Sequence, residues 1–420
     1  MAAQNQKAIN PFKPGAGQSP PTLAGRDKEA KEFVQLLRQD TVTQNVVLTG
    51  LRGVGKTVLM DDVYKPLAIK EDWVWVGSDF SESSFVDESS LCRRLLTDLS
   101  LFTSNLTVST SEPSIGLQDS SVTHSRQMDY QYLMEFFAAQ PGLNSDKLKA
   151  TLELAWKAVQ ATGKKGIIFA YDEAQVVQDR KDKDEYPLAL LLETFQSLQK
   201  KQMRHLLLLT GLPTLFPRLV ASRTYAERMF HVQEIGRLDN TACRKAINEP
   251  LKGNLINFTT PSVETIIKVS SGYPYFIQFI CREAYDFFKA YHDSGTKNPS
   301  IPVQTLLRKL DANFFIGRWS NLPDRQREVS LCIALLPDPD DEFTVNQIVD
   351  ASIEAEAKFS IKKFKTGDVS MMMPKLINNG LVYKNRHGRY LLAVPLFHEF
   401  IKRQFGEPTT QRGLFDDLPD

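Results

Sequence analysis

An apolar run, Asn45-Val46-Val47-Leu48-Thr49, meets Gly50, and four residues later Gly55-Lys56-Thr57 opens a second stretch that reads as a helix from Val58 to Tyr64. This is G-x-x-x-x-G-K-[ST] in the setting the motif requires, a strand that runs through a glycine turn into a helix. No other stretch restricts the possible folds as strongly. The glycines let backbone amides turn towards one point, and the helix N-terminus adds positive potential there. A polyphosphate site is therefore expected at Gly50, Arg52, Gly53, Val54, Gly55, Lys56, Thr57 and Val58. Lys56 is expected to reach the β- and γ-phosphates of ATP, and the Thr57 hydroxyl to take one position on Mg²⁺.

At 420 residues, 42% hydrophobic and 24% charged, the chain has room for two or three domains, and a net charge of +1 excludes no partner class. No apolar run reaches the length of a membrane span, and Met1 to Gln18 lacks the apolar core of a signal peptide, so a cytoplasmic location is expected. Cys92, Cys243, Cys281 and Cys332 lie far apart, which indicates neither a disulfide framework nor a zinc site. The six histidines form no H-x-x-x-H pair.

Four prolines among Gly, Gln and Asn make residues 1–21 an extended lead-in. A helix follows to about Arg38, with Thr22 to Asp27 either near an adenine or serving as its entry. Asp72 to Gly77 reads as a strand and Asp87 to Phe102 as a helix, which begins an α/β alternation. Residues 103–127 are rich in Ser and Thr and read as a surface insertion or mobile loop. Helical periodicity returns in Gln131–Ala139 and Asp146–Thr162, before the apolar strand Gly166–Tyr171 and the acids Asp172 and Glu173. Downstream of a phosphate loop, such acids are expected to hold Mg²⁺ (Asp172) and to polarise the attacking water (Glu173); a cap for the next helix is the plainer explanation. The strand His205–Leu209 ends in Thr210, near the γ-phosphate or the water if strand C-termini line the crevice. Leu219 to Phe230 reads as a helix that carries Arg218, Arg223 and Arg228 out of the sheet.

Gly50–Thr57, Ile167–Glu173, Leu206–Pro213 and Arg228 occur in the order of an AAA+ nucleotidase, and residues 22–405 resemble its origin-initiator and STAND-like, archaeal-type branch. Gly236-Arg237-Leu238 and the turn Ser271-Gly272-Tyr273-Pro274 sharpen the likeness. The resemblance implies an α/β fold: an AAA+ parallel αβα sandwich (22–235), a small helical lid (236–300), a winged-helix domain (301–412) and a tail (413–420). It also implies ATP hydrolysis that is slow and assembly-dependent, a homo-oligomer formed on ATP binding, and Arg228 as a finger on a neighbour's ATP, with Arg223 as the alternative. Where many such proteins carry a lid arginine, this sequence holds Tyr275.

The lid's aromatic stripe, Tyr275, Phe276, Phe279, Tyr285, Phe287 and Phe288, reads as core. In the last region Pro323–Leu336, Thr344–Ser352 and Val369–Asn378 read as helices, and Gly380–Lys384 with Arg389–Leu392 as a hairpin. Residues 337–356 hold seven acidic and no basic side chains, whereas 358–412 hold eleven Lys or Arg against three acids. Lys362, Lys363, Lys365, Lys384, Arg386 and Arg389 are thus candidates for phosphate contacts with double-stranded DNA. The competing expectation is a signalling or defence ATPase whose winged helix binds protein, with any effector a separate polypeptide.

Overall fold

The computed structural model describes residues 9–15, 17–77, 79–80, 87–112, 122–294 and 300–406. It divides into two compact units, one of residues 27–50 and 56–234, the other of residues 1–26, 51–55 and 235–420.

The first unit is built on strands that are apolar on both faces, as a parallel sheet covered by helices on each side demands. β1 (Asn45–Thr49), β2 (Trp73–Val76), β5 (Gly166–Tyr171), β6 (His205–Gly211) and β7 (Phe230–Glu234) form one parallel sheet in the order β2-β5-β6-β1-β7. Every residue of β1, β5 and β6 is buried. The helices Glu88–Thr103, Asn144–Gln160 and Pro187–Lys200 bury Leu95, Leu99, Leu152, Leu191 and Phe195 in the same core as Val47, Phe169 and Leu207. Asp87 and Asp129 cap their helices by accepting from the Ser90 and Tyr132 amides at 2.7 and 2.8 Å. From β1 the chain passes to the far edge at β2 and returns, so β1 lies between β6 and β7. The strand C-termini at this reversal are where an open α/β sheet binds its ligand.

Two expectations change here, and one strand was not foreseen. Residues 103–127 are not simply a loop: β3 (Thr107–Glu112) and β4 (Val122–Gln127) pair antiparallel, with 113–121 outside the described residues. Alternating Ser and Thr suit a strand as well as a loop, because β-branched side chains fit a pleated surface. The helix expected over Leu219–Phe230 is broken. Leu215–Ser222 is helical, Arg223 is extended, and after the short turn Ala226–Met229 the chain enters β7. That edge strand was missed because His231, Gln233 and Glu234 are polar. Gln233 is nonetheless turned inward, where it accepts from Tyr64 Oη at 2.5 Å and donates to Glu32 at 3.0 Å.

The second unit is mainly helical. Asn240–Asn248, Thr260–Ser270 and Pro274–Asp293 are helices, as are Asp324–Ala334, Val345–Phe359, Thr366–Asn378 and Phe397–Gln404. The segments Val303–Leu310 and Ile316–Ser320, joined by a wider turn, form a helical stretch the sequence reading did not recognise. Of the aromatic stripe, Phe276, Phe279 and Tyr285 are buried, whereas Tyr275, Phe287 and Phe288 are half-buried; Phe276 packs on Phe314 and Phe315, and Phe315 stacks on Phe400 at 5.2 Å. β8 (Val382–Arg386) and β9 (Arg389–Leu392) form the hairpin, turning through Gly388 at φ +70°. No described helix is long and apolar enough to cross a membrane.

Candidate functional site

Asp172 follows β5 directly and is buried, with 4% of its surface exposed. Three groups hold its carboxylate. Thr57, one residue beyond the loop lysine, donates its hydroxyl to Oδ2; Thr210, near the end of β6, donates its hydroxyl to Oδ1; and the Glu173 amide donates to Oδ1 at 2.8 Å. The sheet order dictates this convergence, because β6 lies between β1 and β5, so its end faces both the loop exit and the acid. Phe80 reinforces the strand end: its amide donates to the Asp172 carbonyl at 3.1 Å, and its ring stacks on Tyr171 at 4.0 Å. Lys56 is 7% exposed and donates from Nζ to the Gly50 carbonyl at 3.0 Å.

Glu173 adopts φ +52°, a left-handed conformation uncommon for a residue with a side chain, and its carboxylate does not cap the short helical turn that follows. The cap explanation for this acid therefore fails. Its Oε2 accepts from Gln175 Nε2, and the amide oxygen of Gln175 accepts from the Leu212 backbone at 3.2 Å. Sequence reasoning missed Gln175; only its place two residues after the acid pair could have flagged it. On the helix after the loop, Asp61 lines a cleft of about 780 Å³ with Asp62, Lys65, Trp75 and Asp79. Burial raises the Asp61 carboxyl above its usual range; Lys65 opposes this, and Asp172, Asp79 and Asp62 add to it.

Loop residues 51–55 group with the second unit. Gly53 and Gly55 have φ of +80° and +90°, conformations that favour glycine. The Gly53 carbonyl accepts from the Tyr275 amide at 3.2 Å, and a Cβ on Gly53 would lie 3.1 Å from the Tyr275 Cβ. Arg26 donates to the carbonyls of Val54 and Gly236 at 3.1 and 2.6 Å, which gives the 22–27 segment a structural task. The Arg52 guanidinium lies against Gly380, and Arg318, another residue the sequence did not single out, is half-buried. Burial lowers the Arg318 pKa and the nearby Arg52 charge lowers it further.

The remaining candidates are spread out. Arg228 is exposed on its short turn, whereas Arg223 is held by Glu193 through Nε at 2.8 Å and Nη2 at 2.5 Å. Lys362, Lys363, Lys365, Lys384 and Arg389 are exposed. Arg386 is exposed too, and Glu342 takes it in two hydrogen bonds, at 3.0 and 2.6 Å.

The family model described as AAA ATPase domain matches residues 22–220. Among solved structures, the chain is similar to the Walker-type ATPase of Pyrococcus abyssi, at 14% identity and a TM-score of 0.55, covering 90% of this chain and 96% of that one. It is also similar to the ADP form of the Aeropyrum pernix ORC2 protein, at 13% identity and a TM-score of 0.52, covering 93% and 97%. No curated protein matches the sequence. Four strands of the parallel sheet, β1, β2, β5 and β6, the glycine loop leading to Lys56 and Thr57, and the acids after β5 fall inside the matched span, the edge strand β7 falls outside it, and over residues 22–220 this chain matches the AAA ATPase domain model.

Proposed function

We propose that this chain is an ATP-hydrolysing molecular switch that assembles on ATP binding and acts on double-stranded DNA through a winged helix in residues 301–412. The observation that carries the ATPase part is the convergence of the Thr57 and Thr210 hydroxyls on the buried Asp172. A hydroxyl and a carboxylate are hard oxygen donors, which fits Mg²⁺. Thr57 and Asp172 would be its protein ligands, Asp172 mostly through water, with phosphate and water filling the other positions. When bound, Mg²⁺ neutralises charge on the β- and γ-phosphates.

The chain's own residues do the rest. Gly50 to Val58 cradle the phosphates with backbone amides, and Lys56 places its ammonium on them. Thr210 orients the reacting end, Glu173 accepts a proton from the attacking water, and Arg228 of a neighbouring copy meets charge that develops in the transition state. The DNA part rests on the exposed Lys384 and Arg389 of the β8–β9 hairpin and on Lys362, Lys363 and Lys365 before the helix Thr366–Asn378. A process like that of replication initiators or mobile elements would use such a switch.

Two measurements test it. Calorimetric titration with ATP and Mg²⁺ should show Lys56→Ala weakened by at least about a hundredfold, near 3 kcal/mol, and unchanged affinity would make the loop merely structural. Wild-type protein should retain duplex DNA at low salt and release it as salt rises. One observation favours the protein-docking alternative: Met371 is 67% exposed on the helix Thr366–Asn378. Failure of DNA retention, with ATP binding intact, would leave that reading and a separate effector.

A further inference from the structure

We propose that Gln175 is a positioning residue for hydrolysis: it holds the Glu173 carboxylate and ties it to the end of β6. The inference rests on the reading of Glu173 as the general base. β5 and β6 are parallel neighbours in register up to Tyr171 and Leu209, and beyond those residues regular pairing stops. Two side-chain ties continue it. One is Thr210 on Asp172; the other runs from Glu173 through Gln175 to the Leu212 amide. The second reaches the residue whose task needs direction.

A carboxylate acting as base needs one oxygen facing the water, and the other is best used to fix its orientation, as an Asp fixes a catalytic His. Gln175 Nε2 occupies Oε2, which leaves Oε1 for the water. An amide suits this work because it donates to Glu173 and accepts from Leu212 at once, which no carboxylate or ammonium does. The surroundings leave Gln175 little freedom. Its carbonyl accepts from Arg218 Nη1 at 2.9 Å, and a Cβ added at Gly211 would lie 2.5 Å from its Oε1. Arg218 is itself half-buried. Glu173 holds its left-handed backbone between these fixed points. A base on so uncommon a turn would otherwise have several orientations open to it, and misplacing a reacting group costs rate steeply.

The test uses the full chain and four variants: Gln175→Ala, Gln175→Glu, Glu173→Gln and the double variant Gln175→Ala with Glu173→Gln. Glutamate at 175 still accepts from Leu212 but cannot donate to Glu173, so it separates positioning from a purely structural tie. Both single changes at 175 should lower kcat about 10- to 100-fold, part of the contribution of a placed base, while ATP affinity stays within about threefold. In the Glu173→Gln background, Gln175→Ala should lower kcat no further, because residues acting as a unit are non-additive. The inference is overturned if Gln175→Glu turns over like the wild type, or if Gln175→Ala costs the same factor with and without Glu173. Should Gln175→Ala not fold, Gln175→Glu carries the comparison. If Glu173→Gln alone leaves kcat unchanged, the reading of Glu173 fails and the inference with it; if only the Gln175 variants are silent, the inference alone fails.

Discussion

In the sheet unit two buried polar groups have neutral surroundings: Asp172 is held by two hydroxyls and an amide, and His205 lies among the rings of Trp156, Phe169 and Phe195. In the other unit several polar groups, some buried and some, like Arg386, exposed, are paired with opposite charge. His398 lies 3.2 Å from Asp340 and 3.3 Å from Glu399, Arg403 reaches Asp311 at 2.5 and 3.0 Å, and Arg386 is taken up by Glu342. A charge already matched inside the molecule has little left to offer a ligand, whereas a carboxylate held by hydroxyls keeps its charge for an incoming cation. The contrast is consistent with cation chemistry at Asp172 in the first unit, and in the second it singles out the unmatched surface charges as the ones to test for partner contacts.

The largest expected break in that picture comes from Arg228. Of the two candidate arginines, Arg223 is paired with Glu193 and Arg228 is exposed, which is why the proposed role is given to Arg228. Arg228→Ala should bind ATP normally and lose about a thousandfold in phosphate release. Mixing it with Lys56→Ala should restore part of the activity, since one supplies a working site and the other a working arginine. Absence of rescue with assembly confirmed would return the role to Arg223 or make the enzyme monomeric.

Next in size is Asp172→Asn. An asparagine offers one acceptor oxygen and an NH2 donor where two hydroxyls now find two acceptor oxygens, so one threonine must turn to accept, and the negative charge available to a cation is lost while the volume stays constant. Turnover should fall at least about a hundredfold with the fold intact by circular dichroism. A variant that hydrolyses ATP like the wild type would place the cation elsewhere.

The two buried histidines should titrate with opposite sign. Burial pushes the His205 pKa down from 6.5 to about 3, so the folded state refuses a proton that the unfolded chain takes. Stability from this group is complete above pH 6.5 and falls by up to about 1.4 kcal/mol per pH unit below it. Burial also pulls His398 down, but Asp340 and Glu399 outweigh it and the net shift is upward. Its contribution is complete below pH 6.5 and is lost as pH rises through the folded value. Urea unfolding across pH 4 to 9 checks both: His205→Leu should flatten the acid limb and His398→Gln the alkaline one. If His205→Leu keeps the acid slope, other groups carry it.

What the sequence disclosed follows the same division. β1, β5 and β6 were legible because a fully buried parallel strand is a continuous apolar run, and the glycine loop because its spacing serves one geometry. β7 was not, since an edge strand with His231, Gln233 and Glu234 carries no such run. Thr210 could be placed from the end of β6, but its hydroxyl on Asp172, and the tie from Gln175 to the Leu212 amide, depend on the order of strands in space. The helical stretch from Val303 to Ser320 offers no cap or glycine stop of the usual kind, and its start is marked only by Pro302. Arg386 shows the sharpest limit. Counted along the chain it belongs to a basic face, yet its partner Glu342 is 44 residues away in the acidic stretch that precedes that face.

That pairing gives the smallest and most discriminating prediction. Lys384 and Arg389 flank the hairpin turn with their side chains exposed, whereas both hydrogen bonds from Arg386 go to Glu342, whose carboxyl is held below its usual range by Arg386 first and Asn385 second. If the hairpin contacts phosphates, Lys384→Gln and Arg389→Gln should each weaken duplex retention for all sequences alike and flatten its salt dependence by about 0.9 log unit. Arg386→Gln should leave the slope close to the wild-type value, because a guanidinium matched by a carboxylate releases no counterion when DNA arrives. ATP affinity should be the same in all three. Measuring retention at several salt concentrations decides between the outcomes. A slope that falls as much for Arg386→Gln as for Lys384→Gln would mean that the Glu342 pair opens on DNA, so that intramolecular pairing no longer predicts which charges are spent. Three unchanged slopes would remove the hairpin from the DNA interface and, with it, the contrast between matched and unmatched charges as a guide to this unit.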